Sequence, residues 1–214
     1  MAIARDTSGY LNFTATSGTL SYTCSGSDRI LLVFTNNEAG ADDITGVTYN
    51  GVALTQLGTG VIRSGSVTLR TWYLIAPATG ANNIVVSRST SADTWCLVVS
   101  YTGVSQTGFP DASATFQDST SPMTGTLTTI ADNAIAVMVG SGTQTQTAST
   151  GATFVLNNTS GAYQLYESTT FPITPAGSYS MSFTQADAAV AISMVSLAPP
   201  SSATSGKNFL AFMM

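Results

Sequence analysis

The sequence predicts an all-β protein, and three observations predict it. Runs of Val, Ile, Thr, Tyr and Phe recur along the 214 residues between turns marked by Gly, Asn and Ser, the alternation expected of strands and their connections. Only 8% of residues are charged, against roughly 25% in an average soluble protein, so the Lys, Glu and Arg that solvate an exposed helix face are scarce. The β-branched and aromatic residues that fill the runs fit a half-buried pleated surface. At this length a sandwich can form one large domain or two small ones.

Residues 1–18 read as a polar N-terminal arm. Strand-like runs follow at 19–24, 29–35, 44–49, 52–62, 67–75, 83–88 and 94–101, with turns at Ser25-Gly26-Ser27, Asn50-Gly51, Ser64-Gly65 and Pro77-Ala78-Thr79-Gly80. Asn50-Gly51 is the sharpest of these signals, because a tight primed hairpin turn needs two residues that tolerate positive φ. A second series of runs covers 125–130, 134–140, 152–156, 163–167, 178–184 and 188–197. The last is apolar enough to pass for a helix. It is short and bounded by Asp187 and Pro199, which suits a strand buried on both faces.

The two series look like copies of one pattern. Tyr73, Pro77-Ala78-Thr79-Gly80, Ile84-Val85-Val86-Ser87 and 95–100 recur in order as Tyr166, Pro175-Ala176-Gly177, Met181-Ser182-Phe183-Thr184 and 190–196. Arg29-Ile30-Leu31-Leu32-Val33-Phe34 likewise matches Asn133-Ala134-Ile135-Ala136-Val137-Met138. Two related halves, about 19–115 and 125–198, are therefore expected to supply strands to one sandwich. Residues 199–214 then form a linker, Pro199-Pro200-Ser201-Ser202-Ala203-Thr204-Ser205-Gly206, whose composition is that of a flexible connection, and an apolar tail. In that tail Phe209, Leu210, Phe212 and Met213 are the candidate assembly contacts.

Charge excludes several function classes. The formal net charge is −5, and the six basic residues (Arg5, Arg29, Arg63, Arg70, Arg88, Lys207) are scattered. Nucleic acid and anionic membrane surfaces both require clustered Lys and Arg, so neither is an expected partner. No apolar run approaches the roughly 20 residues of a membrane helix. The start, Met1-Ala2-Ile3-Ala4-Arg5-Asp6-Thr7-Ser8, lacks the charged n-region and apolar h-region of a secretory signal, which points to synthesis and folding in a cytosol.

Absence of histidine removes the usual general base, the Ser-His-Asp and Cys-His systems and the commonest zinc ligand. A Ser-Lys arrangement would depend on Lys207 in the tail. Paired carboxylates are the remaining catalytic option, because glycosidases need only two acids flanking the scissile bond. Glu38, Asp42, Asp43 and Glu167 are the candidates, though all sit in or beside predicted loops. Glu38-Ala39-Gly40-Ala41-Asp42-Asp43 is also the one acidic cluster, and loop carboxylates are what Ca²⁺ takes. Its spacing is not that of an EF-hand, and a solvated loop accounts for it better. No enzyme activity, cofactor or metal is expected.

Trp72, Tyr73 and Trp95 sit in apolar runs and read as core. Tyr163 and Tyr166, flanked by Gly161 and Glu167, are the candidates for an exposed aromatic pair that packs on a sugar face. Cys24 ends one strand-like run and Cys96 lies within another, where a thiol packs as a small hydrophobe; a disulfide between them is the alternative.

Several stretches resemble a β-sandwich domain of tailed-phage virion structural proteins and bacterial surface proteins. They are Thr23-Cys24-Ser25-Gly26-Ser27-Asp28-Arg29-Ile30-Leu31, Val47-Thr48-Tyr49-Asn50-Gly51-Val52-Ala53-Leu54-Thr55, the run from Trp72 through Pro77-Ala78-Thr79-Gly80 to Ser87, Val99-Ser100-Tyr101-Thr102-Gly103-Val104-Ser105-Gln106-Thr107, and Pro175-Ala176-Gly177-Ser178-Tyr179-Ser180. Together they span most of 19–199. The resemblance implies a two-half, jelly-roll-like antiparallel sandwich used as a building block, and it implies no catalytic residues. The expectation is a virion structural protein (capsid decoration, head-fibre or tail-associated subunit) that forms homo-oligomers and meets other virion proteins. An extracellular carbohydrate-binding or adhesin module on a host-surface glycan is the alternative, and a carboxylate glycosidase is the third.

Overall fold

The computed structural model describes residues 2–38, 43–63, 67–158, 162–186 and 189–201. These residues form strands and connections without a helix. In chain order the strands are β1 Ala4–Phe13, β2 Ser17–Cys24, β3 Ile30–Asn37, β4 Ile44–Tyr49, β5 Val52–Ala53, β6 Thr55–Arg63, β7 Val67–Ile75, β8 Gly80–Arg88 and β9 Thr94–Thr102 in the first half. The second half holds β10 Ala112–Asp118, β11 Met123–Thr128, β12 Ile135–Ser141, β13 Thr147–Ala148, β14 Ala152–Asn157, β15 Tyr163–Ser168, β16 Ser178–Thr184 and β17 Val190–Leu197. The protein is an all-β antiparallel β-sandwich, as composition and periodicity predict.

Four sheets stack as four layers. Order β1-β9-β3-β7-β6 forms one inner sheet and β10-β17-β12-β15-β14 the other; β2-β8-β4-β5 and β11-β16-β13 are the outer sheets. The two inner sheets correspond in strand order, β1, β9, β3, β7 and β6 standing where β10, β17, β12, β15 and β14 stand, while the outer sheets differ by one strand. Three cores lie between these sheets. Each half has its own core between an inner and an outer sheet, one around Leu31, Val33, Ile84 and Val98, the other around Met138, Tyr166, Phe183 and Ile192. A third core, which includes Leu32, Phe34, Leu97, Val137, Leu165 and Val195, joins the two inner sheets.

This layering explains the continuous apolar runs. Successive side chains of a strand point to opposite faces, and in β3 Leu31 and Val33 enter the first core while Ile30, Leu32 and Phe34 enter the central one. In β17 Val190, Ile192 and Met194 face the outer sheet and Ala191, Val195 and Leu197 face the other half. A strand covered on both faces has no polar side to show. The repeat detected in sequence is shifted by one residue, because Ile30 shares its face with Ile135 and not with Ala134. A slip of one reverses which core each side chain enters.

Polar side chains pin the seam. Thr71 Oγ1 and Ser193 Oγ are 2.7 Å apart, Ser141 Oγ donates to Asn36 Oδ1 at 2.8 Å, and Tyr101 Oη donates to Glu167 Oε1 at 2.6 Å. The expected N-terminal arm is instead largely strand β1, paired along β9 from Ala4↔Thr102 to Phe13↔Thr94. Its Asp6 accepts from Ser25 N at 2.8 Å and from Ser100 Oγ at 3.0 Å.

Turn chemistry follows the sequence at Asn50-Gly51. Tyr49 pairs with Val52 across it, and both turn residues have positive φ, 51° and 75°, as a primed hairpin requires. Gly151 is constrained differently. Its φ is +71°, and a Cβ there would stand 2.1 Å from Ser180 O. Gly151→Ala is expected to destabilise the fold by about 2 kcal/mol or more, since left-handed strain adds to a backbone collision. Gly177→Ala, where a Cβ meets nothing within 4 Å, should stay within about 0.5 kcal/mol. Urea titration of the two variants checks the difference; equal midpoints would refute it.

Candidate functional site

Described carboxylates that the sequence offered for catalysis are engaged in holding the fold. Asp43 sits just before β4 and is buried, as is Arg88 at the end of β8. Arg88 Nη2 donates to Asp43 Oδ2 at 2.8 Å and Nε reaches both carboxylate oxygens at 3.2 Å. Thr90 and Asn37 also donate to Asp43, and Arg88 bonds Thr94 and the Ala92 carbonyl. Burial alone would raise the Asp43 pKa, but the hydrogen bonds from Arg88, Thr90 and Asn37 and the Arg88 charge outweigh it and hold the carboxyl below its ordinary 3.8. The solvated-loop expectation is thus corrected for Asp43.

Glu167 belongs to a separate network. It accepts from Tyr101 and, at 3.1 Å, from Arg5 Nη1, tying β15 to β9 and β1. Burial and then the Glu167 charge push the Tyr101 hydroxyl far up, so it stays a donor. Asp111 accepts from Ile130 N, Ala131 N and Ser196 Oγ; Asp118 caps the next turn through Ser119 N, Thr120 N and Thr124 N. Asp42 and the assembly candidates Phe209, Leu210, Phe212 and Met213 lie outside the described residues. Among those described, no group of three His, Cys, Asp or Glu residues is placed to hold a metal.

Tyr163 and Tyr166 are not an exposed pair. Their relative exposures are 1% and 0%, and an odd spacing on one strand sends them to opposite faces. Tyr163 enters the central core and Tyr166 the second-half core. Tyr166 Oη lies 3.0 Å from Gln146 Oε1 and from Gln164 Oε1, and its ring stacks on Phe183 with centroids 5.5 Å apart. Both cysteines are buried free thiols, as their apolar settings predict.

Two clefts lie at opposite ends of the stack. At one end, where β3 finishes and β9 and β15 begin, a cleft of about 210 Å³ is lined by Asn36, Glu38, Arg63, Trp95, Asn158 and Tyr163, among others. Trp95 stands directly across from Asn36 and is half-buried. Arg63 Nη2 is 3.6 Å from Glu38 Oε1. Asn158 Oδ1 accepts from Tyr163 N at 3.2 Å, whereas the buried Tyr163 hydroxyl has no hydrogen-bond partner. At the other end, about 30 Å away along β12, a cleft of about 280 Å³ is lined mainly by Ala2, Ile3, Phe171, Pro172, Pro199 and Pro200.

No family model, curated protein or solved structure matches the chain. What the protein does must therefore be argued from its own geometry. One end is the more polar of the two and is set in the seam between halves; the other is apolar, with Phe171 in its lining 42% exposed. Trp95 packs against the central core, as its apolar run predicts, but that it also borders a cleft was not read from sequence. The available signal was its place at the first residues of β9, where a strand emerges from its covered stretch.

Proposed function

We propose that the protein is a non-enzymatic virion structural subunit, a capsid decoration, head-fibre or tail-associated protein that acts by self-assembly. The apolar cleft carries this reading. A surface cleft lined mainly by apolar side chains suits an apolar segment, and the described chain leaves it at Pro199-Pro200, ahead in sequence of the apolar Phe209-Leu210-Ala211-Phe212-Met213-Met214. The proposed occupant is this terminal segment of a neighbouring copy. The virion assignment rests on the sequence resemblance and on the alternation of strands between sheets, which supports the jelly-roll reading. Engagement of Asp43 and Glu167 in separate structural networks disfavours the glycosidase.

Native mass by light scattering is the test, on the full chain and on one ending at Pro199. The full chain should form a closed oligomer or filament that dissociates on truncation, and Phe171→Ser in the full chain should have the same effect. A full-length monomer would sink the self-assembly reading. The carbohydrate-binding alternative loses its Tyr163 and Tyr166 platform, and the observation that still favours it is the half-buried Trp95 in the polar cleft.

A further inference from the structure

We infer that the polar cleft between the halves, built on Trp95, Arg63, Glu38, Asn36, Asn158 and Tyr163, is a binding site for one neutral sugar ring, free or at the end of a glycan. This inference is independent of self-assembly.

Both halves are needed to make the cleft. Asn36, Arg63 and Trp95 come from β3, β6 and β9, and Tyr163 and Asn158 from β15 and the first residue after β14. Ligand sites are commonly found at such junctions. At about 210 Å³ the cleft is smaller than the roughly 300 Å³ at which drug-sized pockets begin, so the ligand is a single small ring.

Chemistry of the lining selects the class. A half-exposed indole offers a flat face to C–H groups, while guanidinium, carboxylate and amides surround it with donors and acceptors suited to hydroxyls. Arg63 and Glu38 are a pair, 3.6 Å apart, and are the charged residues among the described lining, which favours a neutral ligand over an anion. Tyr163 supplies the independent sign. A buried hydroxyl without a partner costs free energy, and this one belongs to a residue that lines the cleft. Burial keeps it protonated, and a ligand hydroxyl or water that reached it from the cleft would supply the missing partner.

The test uses the full-length protein with methyl glycosides of glucose, galactose, mannose and N-acetylglucosamine, each at millimolar concentration, read by saturation-transfer NMR and tryptophan fluorescence. At least one glycoside should give a saturable response with a dissociation constant in the millimolar range or below. The chain has two tryptophans, so the fluorescence change should persist in Trp72→Phe and vanish in Trp95→Leu. Glu38→Gln, at a position whose side chain is 42% exposed and with the fold checked by circular dichroism, should weaken binding about tenfold or more, by loss of a charged hydrogen bond. Absence of any saturable response from folded protein would overturn the inference. So would binding that survives both Trp95→Leu and Glu38→Gln, or binding of glucuronate alone that tightens in Glu38→Gln, which would make the cleft an anion site.

Discussion

Asp43→Ala should lower the free energy of unfolding by about 3–5 kcal/mol, the usual cost of removing one partner from a buried ion pair. The cause is the Arg88 guanidinium left behind. Its side chain is 0% exposed, and without Asp43 its partners among the described residues are the Thr94 and Ala92 oxygens. Urea denaturation followed by tryptophan fluorescence measures the loss; a change under about 1 kcal/mol would refute the role. Asp43→Leu combined with Arg88→Met should recover most of the stability, because an apolar pair of similar volume needs no compensation for desolvated charge.

The same pair sets an acid limit. Asp43 has a folded pKa below its ordinary 3.8, so its contribution is fully present above that value and is lost as pH falls through the lower, folded one. The gap between the wild type and Asp43→Asn should therefore be constant at neutral pH and narrow only below about pH 4. A gap already closing at pH 6 would mean that another group controls the region.

Phe34→Ala should cost about 3–5 kcal/mol, for a different reason. Phe34 is 0% exposed in the central core between the inner sheets, where the surrounding strands are held from both sides and cannot collapse into the space left. For a chain of this size the midpoint of thermal unfolding should fall by about 10 °C. Because one core joins the halves, far-ultraviolet circular dichroism and tryptophan fluorescence should report the same transition in wild type and variant. Two resolved transitions in the wild type would show that the central core does not couple the halves.

Much of the strand framework was legible in the sequence, and where it was not the reasons are specific. β3, β9, β12 and β17 announce themselves because strands with two covered faces are apolar throughout. β1 and β10 do not. They run along sheet edges with partly exposed faces, and Ala-Arg-Asp-Thr-Ser-Gly and Ala-Ser-Ala-Thr carry little of the burial that marks a strand. β5 and β6 read as one run, which the break at Leu54 divides between an outer and an inner sheet.

Site residues were less legible than strands. Tyr163 and Tyr166 looked exposed because Gly161 and Glu167 flank them, yet β15 is an interior strand of a covered sheet. Asp43 looked like a solvated loop acid because its partner Arg88 is 45 residues away, and nothing local announces a contact at that separation.

Composition, periodicity and turn chemistry were enough for the class, the positions of the covered strands and the Asn50-Gly51 hairpin, since backbone preference and side-chain alternation are local properties. Tertiary structure alone decided that three cores separate the four sheets. It also decided that Trp95 borders a cleft and that Asp43 pairs with Arg88, because each depends on which surfaces meet across the seam or across the sheets, and burial and pairing are properties of the assembled layers.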